Sequence, residues 1–214
     1  MKKNIFFDAF DNDIRNIIFD LGGVIINVDY HKTENAFKNL GISEFDKIFS
    51  QVRQSKIVDR LEVGDITPEK FRESLRQMCG TSLTDEIIDN AWNAMILNFP
   101  DNRIATLEKL RQKYKIFLLS NTNKIHIDYC MSNINFEKIK SKFDKVYLSH
   151  EIHLRKPNTE IYEFVLHDAR LQASQTLFID DTLKNVEGAQ LAGLNAYHLT
   201  TGETIEDIFT ENGL

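Results

Sequence analysis

Five short apolar runs, each ending at a polar residue, constrain the fold of this chain more than any other feature. They are NIIFD (16–20), KIFLLSN (115–121), KVYLS (145–149), TLFIDD (176–181) and NAYHL (195–199). Helical stretches separate the later runs, with start signals at Asn123 and Asn158 and a stop signal at Gly193. Strands that alternate with helices form a parallel sheet whose two faces are both covered. The pattern therefore predicts an α/β fold.

The segment from about residue 30 to 100 carries helical periodicity and no convincing strand. Ser43 and Thr84 can each cap a helix, and Thr67 followed by Pro68 is typical of a helix start. We therefore expect an all-helical insert after the first strand of the sheet.

Composition limits the partners and the location of the protein. The net charge of −6, without a run of Lys or Arg, argues against a nucleic-acid or anionic-membrane surface. The apolar runs are far shorter than the ~20 residues that cross a bilayer, so we expect a cytoplasmic protein. Cys79 and Cys130 are too few for a disulfide framework. Any anionic ligand must be bound by a local site.

Polar residues gather where the predicted strands end. Ligands of an open parallel sheet bind at the carboxyl ends of the strands, which here carry Asp20, Ser120 with Asn121, and Asp180 with Asp181. Carboxylates and a hydroxyl at one edge suit a hard cation together with an anion that has several oxygens. Magnesium prefers oxygen ligands, so this edge predicts a site for Mg²⁺ and phosphate.

Two further residues complete this prediction. Lys156 lies at the start of a helix after the strand KVYLS and can balance the charge of a phosphate. Asp8, in the stretch NIFFDAF, is a near copy of Asp20, but only one of them can occupy the site. Asp8 lacks a comparable supporting role, so we assign the site to Asp20.

The residues at these strand ends resemble the haloacid dehalogenase superfamily of hydrolases, over residues 16 to 200. The four motifs of that family match, in order, Asp20 in IIFDLGG, Ser120 in LLSNTN, Lys156 in RKP, and Asp180 and Asp181 in FIDD. The resemblance implies a Rossmann-like parallel sheet core, with helices on both faces, formed by residues 1–27 and 101–214. It also implies an all-helical cap formed by residues 28–100.

The resemblance further implies a role for each motif residue in a Mg²⁺-dependent phosphatase. Asp20 would attack phosphorus and form an aspartyl-phosphate that water hydrolyses. Ser120 and Asn121 would bind phosphate, and Lys156 would hold the nucleophile and phosphate together. Asn185 would support the metal site from a second layer. The implied Mg²⁺ ligands are Asp20, Asp180, Asp181 and the backbone carbonyl of Gly22.

Gly22 is the departure from the family pattern. Phosphatases of the family usually carry Asp at this position, which protonates the leaving alcohol; alternatively, Gly22 and Gly23 serve only to form a tight turn. The sequence is most similar to a subgroup that includes alpha-D-glucose-1-phosphate phosphatase, in which an acidic residue follows further on. Asp29 is that residue here. It is a candidate proton donor, although we favour a helix-capping role.

Three functions therefore remain open. The first is a Mg²⁺-dependent phosphatase of a small phosphorylated metabolite, a sugar phosphate with an anomeric 1-phosphate favoured. The second is a metal-independent 2-haloacid dehalogenase, against which the pair of Asp180 and Asp181 argues. The third is a low-turnover phosphate-ligand binding or regulatory protein, which Gly22 keeps open.

Overall fold

A five-stranded parallel sheet forms the centre of the computed structural model, which describes residues 13–42, Phe45 and residues 56–210. The strand order is β3-β2-β1-β4-β5, so β1 lies in the middle. β2 and β3 extend the sheet on one side of β1, and β4 and β5 extend it on the other. All five predicted strands are confirmed. Asp8 and the Ser43 cap lie outside the described residues. The strands are β1 (Asn16–Phe19), β2 (Lys115–Ser120), β3 (Lys145–Leu148), β4 (Thr176–Asp180) and β5 (Asn195–His198).

Helices cover both faces of the sheet. Ile17 and Phe19 of β1 belong to one buried cluster, whereas Ile18 belongs to another on the opposite face, because successive strand residues point to opposite sides. The covering helices are α5 (Asp101–Leu110), α6 (Lys124–Asn133), α7 (Phe136–Lys140), α8 (Ser149–Ile152), α9 (Thr159–Asp168), α10 (Leu183–Leu191) and α11 (Ile205–Thr210). The predicted α/β fold is therefore confirmed.

The described part of the predicted cap is helical and has a hydrophobic cluster of its own. Thr67 and Thr84 cap their helices through side-chain oxygens, as predicted. Phe71 packs edge-to-face on Trp92 at the centre of the cluster. The helices are α1 (Tyr30–Asn39), α2 (Ile57–Glu62), α3 (Pro68–Cys79) and α4 (Asp85–Asn93). In the described ranges of the chain, no helix combines the length and apolar character that crossing a membrane requires.

Two chain segments run side by side where the cap joins the sheet. The backbone N–H of Asn27 donates to Asn98 (2.9 Å), and that of Leu97 donates back to Asn27 (3.0 Å). The N–H of Asp29 donates to Met95 at 2.8 Å. The predicted cap boundaries at residues 28 and 100 remain a proposal, which this paired connection supports.

Candidate active site

Lys156 lies at the centre of the polar groups that gather at the carboxyl edge of the sheet. Its ammonium donates to Asp20 Oδ1 and Asp180 Oδ2, each at 2.6 Å, and to the carbonyl of Leu119 at 3.0 Å. Only 1% of Lys156 is exposed. The three N–H donors of the ammonium are thus all used, and two carboxylates offset its buried charge.

The loop that carries Lys156 is held by contacts that the sequence did not reveal. The Asn121 amide donates to the carbonyl of Lys156 and accepts from its N–H, both at 2.9 Å. A Cβ on Gly188 of α10 would lie 2.2 Å from the carbonyl oxygen of Pro157, so only glycine permits this approach of helix and loop. The side-chain amide of Asn121 is thus engaged by the loop, and its predicted role in substrate binding remains a prediction.

Asp180 is fully buried and saturated with donors. Besides Lys156, it accepts from the N–H of Thr182 (2.8 Å) and from the Asn185 amide, at 3.1 Å to each carboxylate oxygen. The hydroxyl of Tyr162 in turn donates to the Asn185 carbonyl at 2.7 Å. Asn185 therefore holds the carboxylate of Asp180, and its support of a metal site remains a prediction.

Asp20, Asp180 and Asp181 form an acidic cluster at the ends of β1 and β4. One oxygen from each lies within 4.8 Å of the others, a separation that one divalent cation could bridge. Burial raises the pKa of Asp20 to about 7, with Asp180 and Asp181 adding to the rise and Lys156 opposing it. A bound cation would favour the ionised carboxylate that a nucleophile requires.

Ser120 ends β2 at the same edge. It is 3% exposed, and its hydroxyl makes a single long contact of 3.4 Å, to the carbonyl of Asn121, among the described hydrogen bonds. A hydroxyl held this weakly can still orient toward a ligand oxygen. The structure therefore brings Ser120, Asp20, Lys156 and the two carboxylates at the end of β4, Asp180 and Asp181, to one edge, as the motifs predicted.

The two glycines in the turn after β1 differ in how strictly the structure requires a glycine. Gly23 has φ +75°, and a Cβ there would lie 2.2 Å from Asp181 Oδ2. A Cβ on Gly22 would contact only Val28 Cγ2, at an ordinary 3.4 Å, and Gly22 has no left-handed φ. The tight turn thus accounts for Gly23 but not for Gly22.

Asp29 caps α1, which confirms the interpretation that we favoured. Its Oδ1 accepts from the backbone N–H of His31 at 3.0 Å. The role of Asp29 as a substitute proton donor remains a prediction.

Comparisons with known proteins agree with this geometry. A family model described as haloacid dehalogenase-like hydrolase matches residues 14–193. The chain is 32% identical over 192 residues to D-ribitol-5-phosphate phosphatase of Bacteroides thetaiotaomicron, a match that covers 88% of this chain and 93% of the relative.

Solved structures resemble the chain over nearly its whole length. A family enzyme of Bacteroides thetaiotaomicron, in complex with magnesium and inorganic phosphate, superposes with a TM-score of 0.84 at 37% identity, covering 92% of this chain and 99% of that one. An L-2-haloacid dehalogenase superposes with a TM-score of 0.62 at 19% identity, covering 90% and 89%. The latter resemblance extends to the fold alone.

Proposed function

Because this chain belongs to the haloacid dehalogenase-like hydrolase family and is a phosphoric monoester hydrolase of it, we propose that it dephosphorylates a small phosphorylated sugar or polyol with Mg²⁺. The observation that carries the proposal is the buried Lys156 ammonium between Asp20 and Asp180. This arrangement fixes one oxygen of Asp20 and leaves Oδ2 for attack. A solved relative that holds magnesium and inorganic phosphate supports these two as the ligands of the proposed site.

Each residue then has a defined task. Asp20 Oδ2 forms a bond to phosphorus as the bond to the leaving oxygen breaks, and water later hydrolyses the aspartyl-phosphate. The hydroxyl of Ser120 holds a phosphate oxygen, while Lys156 holds Oδ1 of Asp20 and attracts the phosphate through its positive charge. Bound Mg²⁺ offsets the charge that the phosphate brings to the carboxylates. Its proposed ligands are Asp20, Asp181 and the Gly22 carbonyl. Direct ligation by Asp180 stays a prediction; in this structure its carboxylate orients Lys156.

The nature of the leaving group is a finer part of the proposal. Gly22 supplies no acid, which favours esters with acidic leaving groups, such as anomeric sugar 1-phosphates. The relative named for D-ribitol 5-phosphate instead points to a primary ester. We retain the anomeric 1-phosphate as the favoured class, to be compared directly with polyol phosphates.

A panel of phosphorylated sugars and polyols, assayed with Mg²⁺ and again with a chelator, tests the proposal. We expect turnover that requires Mg²⁺ and that Asp20→Asn abolishes, while Asp8→Asn serves as the matched control and retains activity. Release of halide from a 2-haloacid in the presence of chelator would instead support the dehalogenase. Binding of phosphate without hydrolysis of even an aryl phosphate would instead support a binding or regulatory protein, the alternative suggested by the missing acid at Gly22.

A further inference from the structure

A turn of the cap lies directly against the core segment that leads to Lys156. The carbonyl of Val63 is 2.8 Å from His153 Nδ1. Gly64 has φ +72°, and a Cβ there would lie 2.6 Å from the backbone oxygen of His150. The close approach depends on glycine, so the end of α2 is held beside the catalytic edge of the sheet.

Glu62, the last residue of α2, is bound by the neighbour of Lys156 in the chain. Arg155 donates through Nη2 (2.8 Å) and Nε (3.2 Å), and both contacts go to Oε2 of Glu62. Among the described hydrogen bonds none reaches Oε1. The side chain of Glu62 is 18% exposed, so the free oxygen stands in a partly enclosed space.

The contact with Arg155 places Glu62 beside the loop that carries Lys156, whose ammonium binds the proposed nucleophile Asp20. Glu62 is therefore a residue of the cap that lies next to the proposed active site. A group that leaves from phosphate at Asp20 would meet the cap on this side.

We propose that Glu62 Oε1 accepts a hydrogen bond from a hydroxyl of the leaving group and so selects polyol and sugar phosphates over esters without hydroxyls. The proposal rests on the phosphatase function. A carboxylate oxygen can only accept, so it matches a hydroxyl donor and is left unpaired by an alkyl chain. Because Arg155 offsets the charge of Glu62, the pair can lie near a phosphate dianion without strong repulsion.

Glu62→Gln tests this role. The amide oxygen can keep the contact with Arg155, which places the amide nitrogen where Oε1 was. A substrate hydroxyl then loses its charged acceptor and can at most accept a weaker hydrogen bond from the neutral amide. The matched probes are ribitol 5-phosphate and pentyl phosphate, five-carbon primary esters that differ in their hydroxyls. We expect the ratio of kcat/KM for ribitol 5-phosphate to that for pentyl phosphate to fall by about 3- to 10-fold, because a hydrogen bond to a charged group is roughly twice as strong as a neutral one. Asp59→Asn is the control, since Asp59 also contacts Arg155 (3.3 Å) but is 44% exposed.

Equal losses for both esters would overturn the proposal and leave Glu62 as a contact that merely holds the cap on Arg155. An unchanged ratio with unchanged rates would overturn it as well. Calorimetric binding of both esters to Asp20→Asn, with and without Glu62→Gln, gives a readout that needs no turnover. If the parent enzyme hydrolyses neither these two esters nor any member of the panel of phosphorylated sugars and polyols, the phosphatase function fails. The ratio of binding affinities for the two esters then still decides whether Glu62 recognises hydroxyls.

Discussion

At the scale of single residues, the most informative position is Gly22. The backbone there has room for a side chain, since a Cβ would meet only Val28 at 3.4 Å. Gly23, by contrast, must be glycine because Asp181 lies where its Cβ would be. The turn does not require a glycine at position 22. The lack of an acid there is therefore a property of the site's chemistry.

The first residue-scale prediction concerns the proton of the leaving group. General acid catalysis contributes ~10²- to 10⁴-fold, most for strongly basic leaving oxygens. We expect the rate of phosphoryl transfer to Asp20 to depend steeply on leaving-group pKa, measured in a series of graded esters. Asp29→Asn should leave that dependence steep, because Asp29 Oδ1 is already used to cap α1. A shallow dependence that steepens in Asp29→Asn would identify Asp29 as the donor and contradict the prediction.

The residues of the candidate site differ in how well the sequence reveals them. Asp20 and Asp180 end apolar runs, so their convergence followed from the parallel sheet. Lys156 was assigned to the site by the charge that a phosphate needs and by its match to a family motif. The contact of Asn121 with the backbone of Lys156 spans 35 positions, and no local pattern encodes it. Sequence thus predicts which polar residues share an edge, but not which of them orients another.

At the scale of elements, α10 and the loop after α8 form one unit. A glycine inside a helix costs ~1 kcal/mol relative to alanine, so Gly188 in LKNVEGAQL signals a close approach of backbone. The structure supplies the partner, the carbonyl of Pro157 beside Lys156. Packing at this contact positions the buried ammonium.

Gly188→Ala should therefore lower activity although alanine favours the helix. The added Cβ would lie 2.2 Å from the Pro157 oxygen, so the loop must move and the contact of Lys156 with Asp20 lengthens. We expect a loss of at least about tenfold in kcat with Mg²⁺ saturating, since misplacement by about 1 Å can cost 10²-fold. Gly193→Ala is the control, because a Cβ there meets only Ala173 at 3.7 Å, though its φ of +86° will cost stability. Equal kcat in Gly188→Ala and the parent would show that the loop does not position Lys156.

The elements that the sequence analysis did not predict share a physical feature. Helix α5 follows Pro100 and α7 follows Asn135, and neither has a side-chain cap. The predicted cap helices that begin at Thr67 and Thr84 do have caps. A missing cap does not by itself hide a helix, because α9 was predicted from Asn158 although the Asn158 side chain makes no cap hydrogen bond. Helices that depend mainly on tertiary packing are nevertheless the harder ones to predict from sequence.

At the scale of the whole molecule, the cap and the core meet at the start of α6. Ile125 of α6 belongs to the hydrophobic cluster of the cap. The next residue, His126, stacks on Trp92 of α4 with ring centroids 5.6 Å apart, and its Nδ1 lies 2.7 Å from Asn93 Oδ1. This contact connects the cap to the helix that follows Ser120. The protonation state of His126 therefore affects both the cap and the core.

The final prediction follows from the burial of His126. Burial lowers its pKa to about 4, whereas an unfolded chain has a histidine pKa of about 6.5. Between these values only the unfolded chain binds the proton. The stability that neutral His126 contributes is therefore complete above pH 6.5 and is lost as the pH falls to 4. At about 1.4 kcal/mol per pKa unit, the loss amounts to about 3 kcal/mol.

Urea unfolding followed by the fluorescence of Trp92, the single tryptophan, measures this loss at pH 7, 5.5 and 4.5. His126→Gln retains an amide that can donate to Asn93 but does not titrate, so its free energy of unfolding should fall less steeply with acidification than that of the parent. His31→Gln is the control, since the His31 side chain is 86% exposed and should leave the parent's slope unchanged. Carboxylates contribute to acid unfolding in every variant, which is why the difference between slopes, and not either slope alone, reports on His126. If the free energy of unfolding changes with pH by the same slope in the parent and in His126→Gln, the contact between cap and core opens enough to hydrate His126 in the folded protein.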